Sequence, residues 1–111
     1  MGMLSILNQA KGPLPIQTSF KAPSDGPTCL VLSGSVWSAR ANQMIGIQLQ
    51  LDGKVIGSAE IFSNGASTHR AVVPSYMPVT LAFGQHTLSL VALNSATTSD
   101  FNDFFNVTLQ W

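Results

Sequence analysis

The sequence predicts an all-β protein, an antiparallel β-sandwich of about eight strands. Three observations predict it. Apolar residues recur with a period of two, turn-forming residues fall every ~8 to 12 positions, and no stretch carries the 3.6-residue spacing of a helix. At 111 residues the chain has the length of a single domain, since domains commonly hold about 100 to 150 residues.

The regular body is expected over residues 28–111, after a Pro-rich N-terminal arm of residues 1–27. Pro13, Pro15, Pro23 and Pro27 each remove a backbone donor and fix φ, so the arm is expected to be extended, with at most one edge strand around Ile16 to Phe20. From Thr28 to Trp37, Leu30, Leu32 and Val36 alternate with Cys29, Val31 and Trp37, which makes a strand apolar on both faces. From Met44 to Leu51, Ile45, Ile47, Leu49 and Leu51 oppose Gly46, Gln48 and Gln50, and the run ends in the hairpin signal Asp52-Gly53. A two-residue turn there would send Val55, Ala59 and Ile61 to the glutamine face. A three-residue loop with Gly53 left-handed in a G1 bulge is therefore preferred, with Leu49 opposite Val55 and the apolar set Ile45, Ile47, Leu49, Val55, Ala59 and Ile61 on one face.

Beyond the turn Ser63-Asn64-Gly65, His69 to Val73 and Pro78 to Phe83 read as short strands, and Gly84-Gln85 turns into His86 to Leu93. A polar loop, Asn94 to Asp103, precedes a terminal strand with Phe105, Val107, Leu109 and Trp111 on its inner face, so Trp111 is expected to be buried. Eight strands in two sheets is the jelly-roll number, but an immunoglobulin-like sandwich of seven to nine strands has a comparable length, and counting does not separate them.

Composition bounds the function classes. Only 9% of residues are charged, five Lys+Arg against five Asp+Glu, while 13 Ser, 8 Thr, 6 Asn and 7 Gln carry the polarity. A net charge of zero without like-charge blocks gives no long-range attraction to nucleic acid or to an anionic membrane surface. No run approaches the ~18 apolar residues of a membrane span, and Met1 to Ala10 lacks a basic segment and an apolar run of signal-peptide length. A soluble protein is expected, without membrane insertion, and its compartment is not indicated. The hydrophobic fraction of 45% and mean hydropathy of +0.26 fill a core and leave apolar surface for a partner. Cys29, the single cysteine, cannot close an intramolecular disulfide and reads as a strand thiol.

From Thr28 onward the chain resembles the C1q and tumour-necrosis-factor-like jelly rolls, above all their bacterial and phage relatives. The residues concerned are Leu-Ser-Gly-Ser-Val (32–36), the hairpin Gln-Leu-Asp-Gly-Lys (50–54), Gly-Gln-His-Thr-Leu-Ser-Leu (84–90) and the aromatic terminal strand. The resemblance implies a homotrimer with inner strands along a threefold axis and apical loops that bind a cell-surface receptor or glycan. Val31, Trp37, Val91 and Phe104 are then the interface candidates. The Gly-Gln-His-Thr-Leu-Ser-Leu element also occurs in immunoglobulin-like and carbohydrate-binding sandwiches, so a monomeric glycan-binding sandwich, calcium-dependent or not, is the alternative.

No catalytic constellation is offered, and an enzyme is not expected. There is no Gly-x-Ser-x-Gly elbow and no phosphate-cradling glycine loop. Asp100, Asn102 and Asp103 present oxygen ligands in one loop, the type of set calcium takes, although Asp and Asn in a loop mostly serve Asx-turns. For a glycan, an exposed aromatic face rimmed by amides and acids is needed. Asn64, Tyr76, Asp100, Phe101, Asn102 and Asp103 are the candidates, with Arg40 and Arg70 as hydrogen-bonding partners. His69 and His86 read as strand-end histidines, since no spacing brings them to Asp100 or Glu60 as zinc would require.

Overall fold

The computed structural model describes residues 2–111 and contains nine strands: β1 (Met3–Lys11), β2 (Ile16–Ala22), β3 (Gly26–Val36), β4 (Gln43–Leu51), β5 (Lys54–Ser63), β6 (Arg70–Ala71), β7 (Ser75–Leu81), β8 (Gly84–Ala92) and β9 (Phe104–Gln110). They form two antiparallel sheets. In one, β1, β9 and β3 lie side by side, and the far edge of β3 is shared by β7 and, at Ser35 and Val36, by β6. The other has the order β2-β8-β4-β5. Leu30, Leu32, Phe105, Val107 and Leu109 from the first sheet meet Ile45, Ile47, Leu49, Leu88 and Leu90 from the second, all fully buried. This is the inward half of the period-two pattern, removed from water between two layers.

The N-terminal segment is no arm. β1 pairs along β9 from Met3↔Gln110 to Lys11↔Phe104, and β2 pairs along β8 from Ile16↔Leu90 to Ala22↔Gly84. The prolines fall where a missing donor is harmless. Pro13, Pro15 and Pro23 lie in connections, and Pro27 sits where β3 has a partner only on its β7 side, because β9 begins to pair at Cys29.

The β4–β5 hairpin differs from expectation in the place of its irregularity. Asp52 and Gly53, at φ of 52° and 82°, form a two-residue turn with Leu51 opposite Lys54. The extra residue enters later. Gln50 pairs with Val55 but Leu49 pairs with Gly57, so Ile56 is bulged and the faces are reset. Ala59 and Ile61 then share the face of Ile47 and Ile45, as the pattern demands, while Val55 is left exposed. Gly46 allows β5 to close on β4 at this point, because a Cβ there would fall on the carbonyl oxygen of Ala59.

The sandwich has two poles. Connections 12–15, 37–42, 64–69 and 93–103 gather at one. Turns 23–25, 52–53 and 82–83 gather at the other, together with Gly2 and Trp111, whose backbones exchange two hydrogen bonds of 2.8 and 3.1 Å. The Trp111 ring covers Gly2, where any side chain would collide with it, and it remains 38% exposed rather than buried in the core.

Candidate functional site

The pole built by the long 93–103 connection carries the strongest concentration of chemistry. That connection is held on several sides. Asn94 Nδ2 donates to Met44 O (2.8 Å), Thr97 Oγ1 accepts from Gly46 N (3.2 Å) and Leu14 N donates to Ser99 Oγ (2.7 Å). A two-way backbone bridge also ties Trp37 to Thr98. A loop fixed at this many points presents its side chains with little ordering cost left for a ligand.

Asp103 is the centre of the site. It is fully buried, and Oδ1 accepts from Ser35 Oγ and faces His69 Nδ1, both at 2.7 Å, while Oδ2 accepts from Asp100 N at 2.9 Å. A buried carboxylate survives only when its oxygens are satisfied in this way. His69 lies at the end of the 64–69 connection, next to β6, and its ring stands beside Trp37 with centroids 5.7 Å apart. Its Nε2 points to Asp100 Oδ2 at 3.9 Å, beyond hydrogen-bonding range. Asp100 Oδ1 accepts from Asn102 N at 2.8 Å, an Asx-turn. Phe101 extends from this loop with 73% of its surface exposed and its ring edge over Gly12, where only hydrogen occupies the Cβ position. The Trp37 indole N–H is buried and meets no acceptor among the described residues.

The candidates singled out from sequence therefore separate into two groups. Asp100, Phe101, Asn102 and Asp103 occupy one loop, but the two aspartates converge with His69, and Asn102 contributes only its backbone N–H to the described hydrogen bonds. Ser35, Trp37 and His69 join the site from distant segments. Asn64 is exposed at the start of the 64–69 connection of the same pole. Tyr76 is exposed too, but on β7 opposite Val31, on the outer face of a sheet and not in a loop. Arg40 is exposed and Arg70 half-buried, and neither forms an ion pair among the described residues. His86 is likewise no isolated strand-end histidine, because Asp52 Oδ2 lies 2.7 Å from its Nδ1 at the opposite pole.

A concavity of about 660 Å³ lies at that opposite pole between Gly2, Met3, Thr28, Cys29, Gln110 and Trp111. It contains no charged side chain, and Thr28 and Gln110 are its polar side chains.

No family model matches the chain, and no curated protein matches it by sequence. Solved structures do match it in shape. A family 35 carbohydrate-binding module from Clostridium thermocellum superposes with a TM-score of 0.56 at 13% identity, over 96% of this chain and 86% of the module. The CBM36-1 domain of a multidomain xylanase from the hindgut metagenome of Trinervitermes trinervoides gives 0.55 at 13% identity, over 99% and 98%. The fold is a jelly roll. A β-glucosidase from Paenibacillus barengoltzii also matches, with a TM-score of 0.61 at 14% identity; the match covers 97% of this chain but 10% of the enzyme. These likenesses support the jelly-roll expectation without pointing to its C1q and tumour-necrosis-factor-like branch.

Proposed function

We propose that this jelly roll is a non-catalytic glycan-binding module whose site is the His69–Asp100–Phe101 pole. The observation that carries the reading is an exposed Phe101 ring in the same loop as Asp100 and Asp103, the two carboxylates that converge on His69, with Asp103 buried and holding both His69 Nδ1 and Asp100 N. An aromatic face stacks on the C–H face of a pyranose, and fixed polar groups around it exchange hydrogen bonds with ring hydroxyls. His69 Nε2 and Asp100 Oδ2 are the groups free to do so, with Asn64 and Asn102 at the rim. The resemblance in shape to carbohydrate-binding modules adds support, and the groove at the opposite pole offers no charged side chain among the described residues.

A glycan array followed by calorimetry on the hits tests the proposal. Phe101→Ala is expected to weaken binding at least about tenfold, or roughly 1.4 kcal/mol, with an unchanged melting temperature because the ring is exposed. Absence of any glycan hit, or full affinity in the variant, would overturn it.

The threefold assembly implied by the tumour-necrosis-factor-like resemblance finds less support. Val31, Val91 and Phe104 are half-buried, and their sheet faces are interspersed with Ser33, Asn106 and Thr108 on one side and Gln48, Gln50 and Ser89 on the other. A permanent interface needs a more continuous apolar surface. We therefore favour a monomer, and light scattering at several concentrations distinguishes it from a trimer.

A further inference from the structure

We propose that His69 Nε2 and Asp100 Oδ2 form an open site for a zinc-class divalent ion, with Asp103 as the buried carboxylate that orients the histidine. The ions alone are the probe, so the proposal stands whether or not a glycan binds.

The tautomer follows from the surroundings. Asp103 is fully buried, and its Oδ1 lies 2.7 Å from His69 Nδ1. A carboxylate oxygen accepts, so Nδ1 is the donating ring nitrogen and Nε2 is the one left for a ligand. Asp100 Oδ2 stands 3.9 Å from Nε2. The distance is too long for a hydrogen bond, and it is near the separation of two ligand atoms on one tetrahedral ion, about 3.3 to 3.6 Å for bonds of 2.0 to 2.2 Å. A small rotation of the Asp100 carboxylate closes the difference. All three groups, His69, Asp100 and Asp103, bring a ligand atom within 4.8 Å of one another.

The supporting contacts have the form found behind metal-bound histidines, in which the second ring N–H is donated to a carboxylate that is itself hydrogen-bonded. Here Ser35 Oγ and Asp100 N hold Asp103 from two directions. The side chains of His69 and Asp100 are 35% and 40% exposed, so an ion can reach them and water can fill its remaining positions. The ligand types select the ion. Imidazole nitrogen with one carboxylate oxygen suits zinc, copper or nickel, whereas calcium and magnesium require a cage of oxygens that these residues do not build. Two protein ligands give a weak site whose open positions are available to a further oxygen donor.

Calorimetric titration of the full chain with zinc chloride, and separately with calcium chloride, tests the proposal. Saturable binding of one zinc per chain is expected, with no saturable calcium heat. His69→Gln and Asp100→Asn, both at partly exposed positions, are expected to abolish it. Asp103→Asn should lower zinc affinity by roughly 10- to 100-fold; should that variant not fold, the two exposed variants decide alone. His86→Gln, at the opposite pole, should bind zinc as the parent does. Absence of saturable zinc binding, binding that survives His69→Gln, or calcium binding of equal strength would each overturn the site.

Discussion

His86 Nδ1 lies 2.7 Å from Asp52 Oδ2, and the other ring nitrogen lies 2.8 Å from the carbonyl oxygen of Ala82. Both partners only accept, so the imidazolium, with two N–H donors, satisfies both contacts at once. The ring also stacks on Phe20 at 5.6 Å between centroids. The histidine thereby ties the 52–53 turn to the 82–83 turn.

A pH dependence of stability is expected from this pair. The Ala82 carbonyl, then Asp52, raises the His86 pKa above its ordinary 6.5; the His86 hydrogen bond, then the Thr87 N–H, lowers that of Asp52 below 3.8. A raised histidine stabilises the fold fully below its unfolded value and loses that contribution as pH rises through its folded value. A lowered aspartate stabilises above its unfolded value and loses the contribution as pH falls through its folded one. The pair is therefore most stabilising between about pH 4 and pH 6.5. Urea midpoints of the parent should fall from about pH 5.5 to about pH 8.5 by more than those of His86→Gln. Equal falls in both proteins would remove the pair as the cause. Asp52 is half exposed, so solvent screening keeps the effect small.

Removal of Asp103 should be among the costliest single changes outside the apolar core. Asp103→Ala strands Ser35 Oγ, His69 Nδ1 and Asp100 N together, a loss of about 3 kcal/mol. Ser35→Ala should cost about 1 to 2 kcal/mol and be less than additive with Asp103→Ala, because the two share one bond. Chemical denaturation of the two single variants and the double variant checks this, and strict additivity would contradict it.

Gly46→Ala is expected to destabilise by about 1 to 3 kcal/mol, since the added methyl meets backbone and not a yielding side chain. Gly53 provides the contrast, because a Cβ there meets nothing and the positive φ alone opposes substitution. A Gly46→Ala variant with the parent's urea midpoint would show that β5 can move off β4 at little cost.

Much of the sandwich was legible because one face of each strand is dry. β9 alternates throughout, and the structure places Ile45, Ile47, Leu49 and Leu51 of β4 and Leu88 and Leu90 of β8 inward, where the pattern put them. β1 escaped because its register against β9 slips twice, between Ser5 and Leu7 and again between Leu7 and Ala10, with Gln9 at φ 53°. A period-two reading cannot survive two bulges in nine residues. The need for one extra residue in the hairpin was legible, but the expected three-residue loop with Leu49 opposite Val55 was not what forms: the turn has two residues, Leu49 pairs with Gly57, and the pattern does not say at which rung the extra residue enters. Half of the candidate site was legible for a similar reason. Asp100, Phe101, Asn102 and Asp103 are neighbours in sequence, whereas His69 reaches Asp103 across 34 positions and Ser35 across 68. Only the crossing of the chain between sheets brings them together.

The backbone bonds between Gly2 and Trp111 have a mechanical consequence. β1 and β9 are antiparallel neighbours whose outer ends meet at one pole, so opposed forces applied at those ends load the ladder one rung at a time. Strands pulled in this geometry peel like a zip, while strands pulled from opposite poles must break many rungs together. The jelly roll should therefore yield at low force when stretched between Gly2 and Trp111, and resist far more when held at Gly2 and at the His69 pole.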